Sequence, residues 1–279
     1  MHGFINLIKE KGISSNAALQ KAKKQLNIKK AGHLGTLDPM AEGVLVLGIN
    51  RGTKFSSYFL ESDKVYRAEI TLGIATDTDD AMGQVILENT SSWTKDAAMN
   101  ALNSFIGKSM QVAPHYSALK HKGKPLYKYA REGTPILKPP REVNIFSIEN
   151  VSFKDNVCIC DIHCSKGTYI RAIARDLGKK LDVGGHLSGL KRLEQGIFNI
   201  NDAQNIEDLT LDSIIPIEEG FPKLDRITLN PEQTKFFLNG VKFPYKEKQN
   251  SLYKIFSNDK IFLGLGEIDE SNLKLTRLV

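Results

Sequence analysis

The sequence predicts an α+β chain in two parts, a larger region over residues 1–222 and a small β-rich module over 223–279. Three observations carry this. Residues 65–72 and 156–164 alternate apolar and polar side chains with the period of a strand. Residues 15–26, 94–106 and 167–181 instead repeat apolar side chains at helical spacing. Around 214–225 the chain turns acidic and proline-punctuated (IIPIEEGFPKLD), the composition of a linker, and the residues beyond it read as short strands.

Taken in order, Ser14 and Ser15 are N-cap candidates for a helix whose Leu19, Ala22 and Leu26 share a face, with Lys21, Lys23 and Lys24 elsewhere. In the strand at 65–72, Tyr66, Ala68, Ile70 and Leu72 form the apolar side. Thr94 caps a helix that turns Ala98, Leu102, Phe105 and Ile106 inward. Cys158, Cys160 and Cys164 fall on one face of the strand at 156–164, opposite His163. Gly167 introduces a helix with Ile170, Ala174, Leu177 and Leu181 inward and Arg171 near its start. The last part reads as LYKIFSN, a turn at Asn258 and Asp259, and KIFLGLGEI.

At 279 residues, with 41% apolar and 25% charged side chains, the composition excludes a disordered, collagenous or coiled-coil chain. The longest apolar run, about Gly43 to Ile49, is far short of the ~18–20 residues that span a bilayer. MHGFINLIKEKG meets charge early and lacks a small-residue cleavage site, so no signal peptide is expected, and three cysteines fit a reducing cytoplasm. The net charge of +6 is segregated. Residues 1–60 hold nine Lys or Arg against three acids, 104–145 hold eight against two, and 68–103 hold one Lys and six acids. Such blocks suit a polyanion, and equally a set of solvated faces.

Several motifs fail on inspection. Three thiols without a convergent fourth ligand make a poor zinc site. Asp77, Asp79 and Glu88 occupy EF-hand positions, but Ala81 and Met82 stand where an oxygen ligand and a glycine are required. Neither a GxxxxGK[ST] loop nor a GxGxxG turn occurs, so no nucleotide cofactor or metal is expected.

The stretch KAGHLGTLDPMAEGVL, from Lys30 to Leu45, is different. Pro39 fixes its own φ and pushes Asp38 toward an extended conformation, and Gly32 and Gly35 allow tight backbone geometry. The loop therefore presents one carboxylate beside His33, a group able to act at an anomeric carbon. On local chemistry alone it is equally an Asp-Pro turn opening a helix at Pro39.

GHLGTLDPMAEGVL closely resembles the signature of the bacterial tRNA pseudouridine-55 synthases, the tRNA pseudouridine synthase B family. The likeness continues through SDKVYRAEITLGIATDTDDAMGQ, QVAPHYSALKHKGKPLYKYAREG, HCSKGTYIRAIARDLG and HLSGLKRL, and FLNG with IFLGLGEIDESNLKLTRL resembles the family's PUA-like domain. Leu34 and Glu42 depart from it, at positions where threonine is common.

The resemblance implies a mixed, largely antiparallel sheet of the pseudouridine synthase type with flanking helices, followed by the PUA-like domain. It implies Asp38 as catalytic group, Tyr66 stacking on the base and assisting proton transfer, and Arg171 pairing with the aspartate. His33, Lys64, Asp80, Tyr169 and Leu190 become substrate-binding candidates, and Lys120, Lys122, Lys124, Tyr127 and Arg131 RNA-binding ones, in a segment where Tyr116 and Tyr129 are interleaved. The implied reaction isomerises uridine 55 in the tRNA T loop to pseudouridine after base flipping, with no cofactor, by a cytoplasmic monomer.

The residues alone leave Tyr66 and Leu190 readable as core and Arg171 as surface. Two other classes share these features, an RNA-binding protein with an inactive pocket and a nucleoside or glycosyl hydrolase. The latter needs a second catalytic carboxylate, and none stands out.

Overall fold

The alternating segments pair into one ten-stranded sheet and the terminal ones into a five-stranded sheet. The computed structural model describes residues 1–89, 91–246 and 248–279. The strands of the larger region are β1 (Gly3–Lys9), β2 (Ala31–His33), β3 (Glu42–Ile49), β4 (Lys64–Leu72), β5 (Ile74–Thr76), β6 (Val85–Glu88), β7 (Gly107–Gln111), β8 (Lys120–His121), β9 (Lys124–Pro125), β10 (Arg141–Lys154), β11 (Val157–Cys164), β12 (Gly185–Gln195), β13 (Phe198–Asn199) and β14 (Ile215–Pro216). Those of the smaller are β15 (Arg226–Leu229), β16 (Phe243–Pro244), β17 (Ser251–Ser257), β18 (Phe262–Asp269) and β19 (Asn272–Leu278). The helices are α1 (Ser15–Gln25), α2 (Ser56–Leu60), α3 (Lys95–Asn103), α4 (Leu126–Arg131), α5 (Ile170–Lys180) and α6 (Pro231–Leu238).

The large sheet runs β14-β1-β3-β12-β4-β11-β10-β7, with β2 on β3 and β13 on β12. All its pairings are antiparallel except β3 with β12. The parallel contact requires glycine at Gly43, whose φ is 102° and where a Cβ would lie 2.3 Å from the Arg192 carbonyl oxygen. The second sheet runs β15-β17-β18-β19-β16, with the expected β17–β18 hairpin antiparallel.

Helix starts follow their caps. Ser14 Oγ accepts from Ala17 N at 3.1 Å and Thr94 Oγ1 from Ala97 N at 3.1 Å. Leu19, Ala22 and Leu26 are buried against β1 and β3 side chains as their spacing predicts. The helix after Thr94 ends at Asn103, before it can turn Ile106 inward, and that side chain is 46% exposed. Beneath α5, Ile170, Ile173, Ala174 and Leu177 meet Ala68, Ile70, Leu72 and the three cysteines of β11. All three thiols are buried in this packing, and burial pushes that of Cys164 up to about 12.

The acidic stretch at 214–225 is not a linker over most of its length. Ile215 and Pro216 form β14 on the edge of β1, and Ile217 and Phe221 enter a cluster with Phe4, Val44, Phe55, Phe59 and Phe198. Its charge misleads because Glu218 and Glu219 stay half-buried and exposed while Ile217, Gly220 and Phe221 around them are buried. Leu265 of β18 belongs to the same cluster, so the two sheets share a core.

Candidate active site

Asp38 opens a turn, not a helix: its carbonyl accepts from Ala41 N at 3.0 Å, with Pro39 second in the turn. Four side chains hold this loop by its backbone. Ser15 Oγ accepts from Leu37 N at 2.8 Å and donates to Leu37 O at 2.9 Å. Arg192 donates to the carbonyls of Val44 at 2.7 Å and Gly35 at 3.3 Å, and Gln195 to that of Leu34 at 2.6 Å. Lys9, fully buried, donates to Ala41 O at 2.6 Å and Glu10 O at 2.9 Å. Anchoring by main-chain carbonyls leaves the Asp38 carboxylate free of the loop's own bonding and fixes its direction.

That carboxylate meets Arg171, whose Nη2 lies 2.9 Å from Asp38 Oδ2 and donates to Tyr116 O at 2.9 Å. The other edge of the guanidinium faces Thr78 O at 3.2 Å and Asp80 Oδ2 at 3.4 Å. The Arg171 side chain is 5% exposed and that of Asp38 is 38%, so the cation is sealed behind the aspartate while the aspartate looks into open space. Desolvation at the pocket floor outweighs the Arg171 attraction, and with Asp80 nearby it holds the Asp38 carboxyl above the usual aspartate range.

The open space is a cavity of about 310 Å³ whose walls include Asp38, Tyr66, Tyr169, Arg171, Leu190, Arg192 and Lys64. Register explains the grouping. Tyr66 pairs with Arg192 across β4 and β12, and Leu190 with Ala68, so side chains two apart on each strand share the pocket face. Burial, ahead of the Arg192 charge and hydrogen bond, raises the Tyr66 phenol and keeps it protonated. Tyr169 is fixed by Gln111, which accepts from its N at 2.8 Å and donates to its O at 3.1 Å, and its ring lies 4.7 Å beneath the Arg141 guanidinium.

The remaining candidates divide. Lys64 borders the cavity, but its ammonium donates to the carbonyls of Phe59, Leu60 and Ser62 at the end of α2, and desolvation lowers it to about 8. Asp80 lies behind Arg171, outside the cavity wall, accepting from Thr78 Oγ1 at 2.7 Å and Met82 N at 3.0 Å. His33, on β2, also lies outside the wall; burial lowers its pKa and its Nδ1 has no partner. Lys120, Lys122 and Arg131 are exposed on the β8–β9 hairpin and α4, whose start bonds the backbone of residues 117 and 119 next to Ala118 in the cavity wall. Lys124 sits over the Tyr129 ring and is paired with Glu132; Arg131 lies 5.5 Å over Tyr127.

Of the residues around this pocket, Asp38, Lys64, Tyr66 and Tyr169 lie within a stretch that matches a known family, and Arg171 follows directly on its end. Residues 23–170 match the TruB family pseudouridylate synthase (N terminal domain), and 226–279 match the C-terminal region of pseudouridine synthase II TruB. The chain belongs to the TruB family of pseudouridylate synthases. It is 42% identical to the tRNA pseudouridine synthase B of Clostridium perfringens, over 100% of this chain and 99% of that one. It is 40% identical to that of Francisella philomiragia, over 98% and 93%. Among solved structures, a chain of a Cbf5–Nop10–Gar1 complex superposes with a TM-score of 0.74 at 22% identity, over 99% of this chain and 84% of that one, a likeness of fold.

Two departures from the TruB pattern have local explanations. Leu34 is 1% exposed among the aromatic residues of the shared core, and Glu42 lies 3.4 Å from Lys191 on the parallel strand. Sequence reading misses Lys9, Ser15, Arg192, Gln195 and Gln111, because their partners are main-chain groups that carry no signal in the sequence.

Proposed function

We propose that this TruB protein isomerises a uridine of tRNA to pseudouridine, with Asp38 as the group that acts on the ribose. The observation that supports it is the Asp38–Arg171 pair at 2.9 Å on the wall of a cavity of about 310 Å³ that Tyr66 and Leu190 also line. Arg171 offsets part of the desolvation that raises the Asp38 carboxyl, favouring the ionised form that attack at C1′ or proton removal at C2′ requires. Tyr66 and Leu190 enclose the extruded uracil, Tyr66 supplying a π face and a protonated hydroxyl. The N1–C1′ bond breaks, the base turns, C5 bonds to C1′, the C5 proton leaves to solvent, and the freed N1 takes up a proton in its place.

The substrate is position 55 in the T loop, where an unpaired base costs less to extrude than a paired one. Lys120, Lys122, Lys124, Tyr127 and Arg131 grip the arm from the pocket rim, and His33, Lys64, Asp80 and Tyr169 shape the bound nucleotide or its supports. Residues 1–222 carry the chemistry, and 223–279 add RNA contacts. The enzyme works as a monomer in the cytoplasm; among the described residues no helix is long and apolar enough to cross a membrane.

The test is tritium release from tRNA labelled at uridine C5, with the modified position mapped. Wild-type protein releases label from one T-loop uridine, and Asp38→Asn, nearly isosteric but neither basic nor nucleophilic, loses about 10³-fold or more while still binding tRNA. Turnover by that variant near the wild-type rate overturns the assignment.

A further inference from the structure

We propose that Arg175 and Asp79 form a positioning pair that holds the turn around residues 76–82 so that Thr78 and Asp80 keep Arg171 aimed at Asp38. The inference rests on the isomerase reading above.

Arg171 needs such support because its Nε is buried without a partner. Its direction is therefore set by what its two Nη atoms touch: Asp38 and Tyr116 O on one edge, Thr78 O and Asp80 on the other. Both the 78–80 turn and the 112–116 segment lie outside regular strands and helices, and something must fix them. Arg175 stands one helical turn further along α5, on the same face as Arg171. Its Nη1 lies 3.0 Å from Asp79 Oδ2 and its Nη2 donates to Val112 O at 3.1 Å, while Nε is steadied by Asp176 at 2.8 Å. The two arginines thus grasp the same two segments in parallel.

Asp79 also sits at φ 60°, a left-handed conformation open to aspartate, which turns its side chain toward Arg175. The contacts that hold it are the Arg175 pair and the bond from Leu187 N to Asp79 O at 3.0 Å, three residues before Leu190. With side chains 18% and 14% exposed, Arg175 and Asp79 are largely withdrawn from solvent, unlike the usual surface ion pair. Neither lines the cavity, so neither touches substrate.

The experiment uses the full chain with Asp79→Asn, Arg175→Gln, the double variant and Arg175→Lys, beside wild type and Asp38→Asn. Tritium release at saturating tRNA, tRNA affinity, thermal melting and the pH-rate profile are measured for each. Asparagine tolerates the left-handed backbone, so Asp79→Asn removes a charge and little else. Each single variant is expected to slow the saturating rate about tenfold with affinity within about twofold, the double is no slower than the worse single, and Arg175→Lys recovers part of the loss. The acid limb moves to higher pH. Asp38 is faced by Arg171, Asp80, Lys9 and Tyr66, all unchanged, so that movement reports Arg171 losing its aim.

Rates within about twofold of wild type, losses that multiply in the double variant, or a loss with an unmoved acid limb each overturn the proposal. Should Arg175→Gln fail to fold, Asp79→Asn decides by the same rate and pH criteria. An inactive wild-type chain, or an Asp38→Asn variant as fast as wild type, instead brings down the isomerase reading itself.

Discussion

Replacing Leu265 by alanine probes the core that the two sheets share. Leu265 is fully buried on β18, within the cluster of Phe4, Phe55, Phe59, Phe198 and Phe221. The rings around it are locked by one another: Phe4 and Phe59 are 4.6 Å apart edge to face, and Phe59 and Phe221 5.6 Å apart. Leu→Ala changes in cores cost about 2–5 kcal/mol, and a lattice of mutually held rings collapses poorly into the space, which puts this one at about 4 kcal/mol. With a urea dependence near ~3 kcal/mol per molar, the midpoint falls by about 1 M. Two probes read it. Trp93, the single tryptophan, packs with Phe153 at 5.6 Å against the large sheet, far along the chain from the substitution, and far-UV circular dichroism reports both sheets. Both transitions move down together with unchanged slope. A Trp93 transition that stays put while circular dichroism gains an early step refutes the shared core and makes residues 223–279 an independent unit.

The same geometry sets further outcomes. Tyr66→Phe keeps the ring and removes the hydroxyl, so it lowers turnover at least about tenfold with tRNA affinity unchanged, whereas Tyr66→Leu weakens both; wild-type rates with Phe leave the ring as the contributing part. For Lys9, desolvation lowers the folded value from 10.5 to about 8, so the unfolded chain binds the extra proton between those pH values. Stability of wild type relative to Lys9→Met therefore rises with pH through that window, by about 3 kcal/mol at full extent, and a flat difference in denaturant titrations contradicts it. tRNA affinity falls steeply with salt, and Lys122→Ala or Arg131→Ala each lowers the log–log slope by about 0.7–0.9 without abolishing binding; a salt-insensitive dissociation constant removes the electrostatic grip.

How much of this is legible in the sequence differs by element. The strands at 64–72 and 157–164 and the helices after Ser14, Thr94 and Tyr169 are visible because period and caps are local properties. The insertion of β12 between β3 and β4 is not, since pairing partners are set by contacts distant in sequence. Asp38 stands out by its motif, while Lys9 and Arg192 carry no mark of their role, since what they hold are main-chain carbonyls. The acidic stretch at 214–225 is read as a linker because composition records charge and misses that Ile217 and Phe221 within it are buried in the shared core.

The place of β12 also governs how the protein can be made. β1 and β3 pair early, and β4 can await β11, but the strand that joins these halves is synthesised only at residues 185–195. Until it leaves the ribosome, β4 carries an open hydrogen-bonding edge along its length and β3 one at Glu42 and Gly43, beyond the residues that β2 covers; such edges recruit other nascent chains. Leu190 and Arg192 arrive on that same strand, so the pocket wall and the brace of the Asp38 loop appear in one late step. A truncated product ending before it therefore holds Asp38 and Arg171 yet lacks Leu190 of the pocket wall and the Arg192 brace.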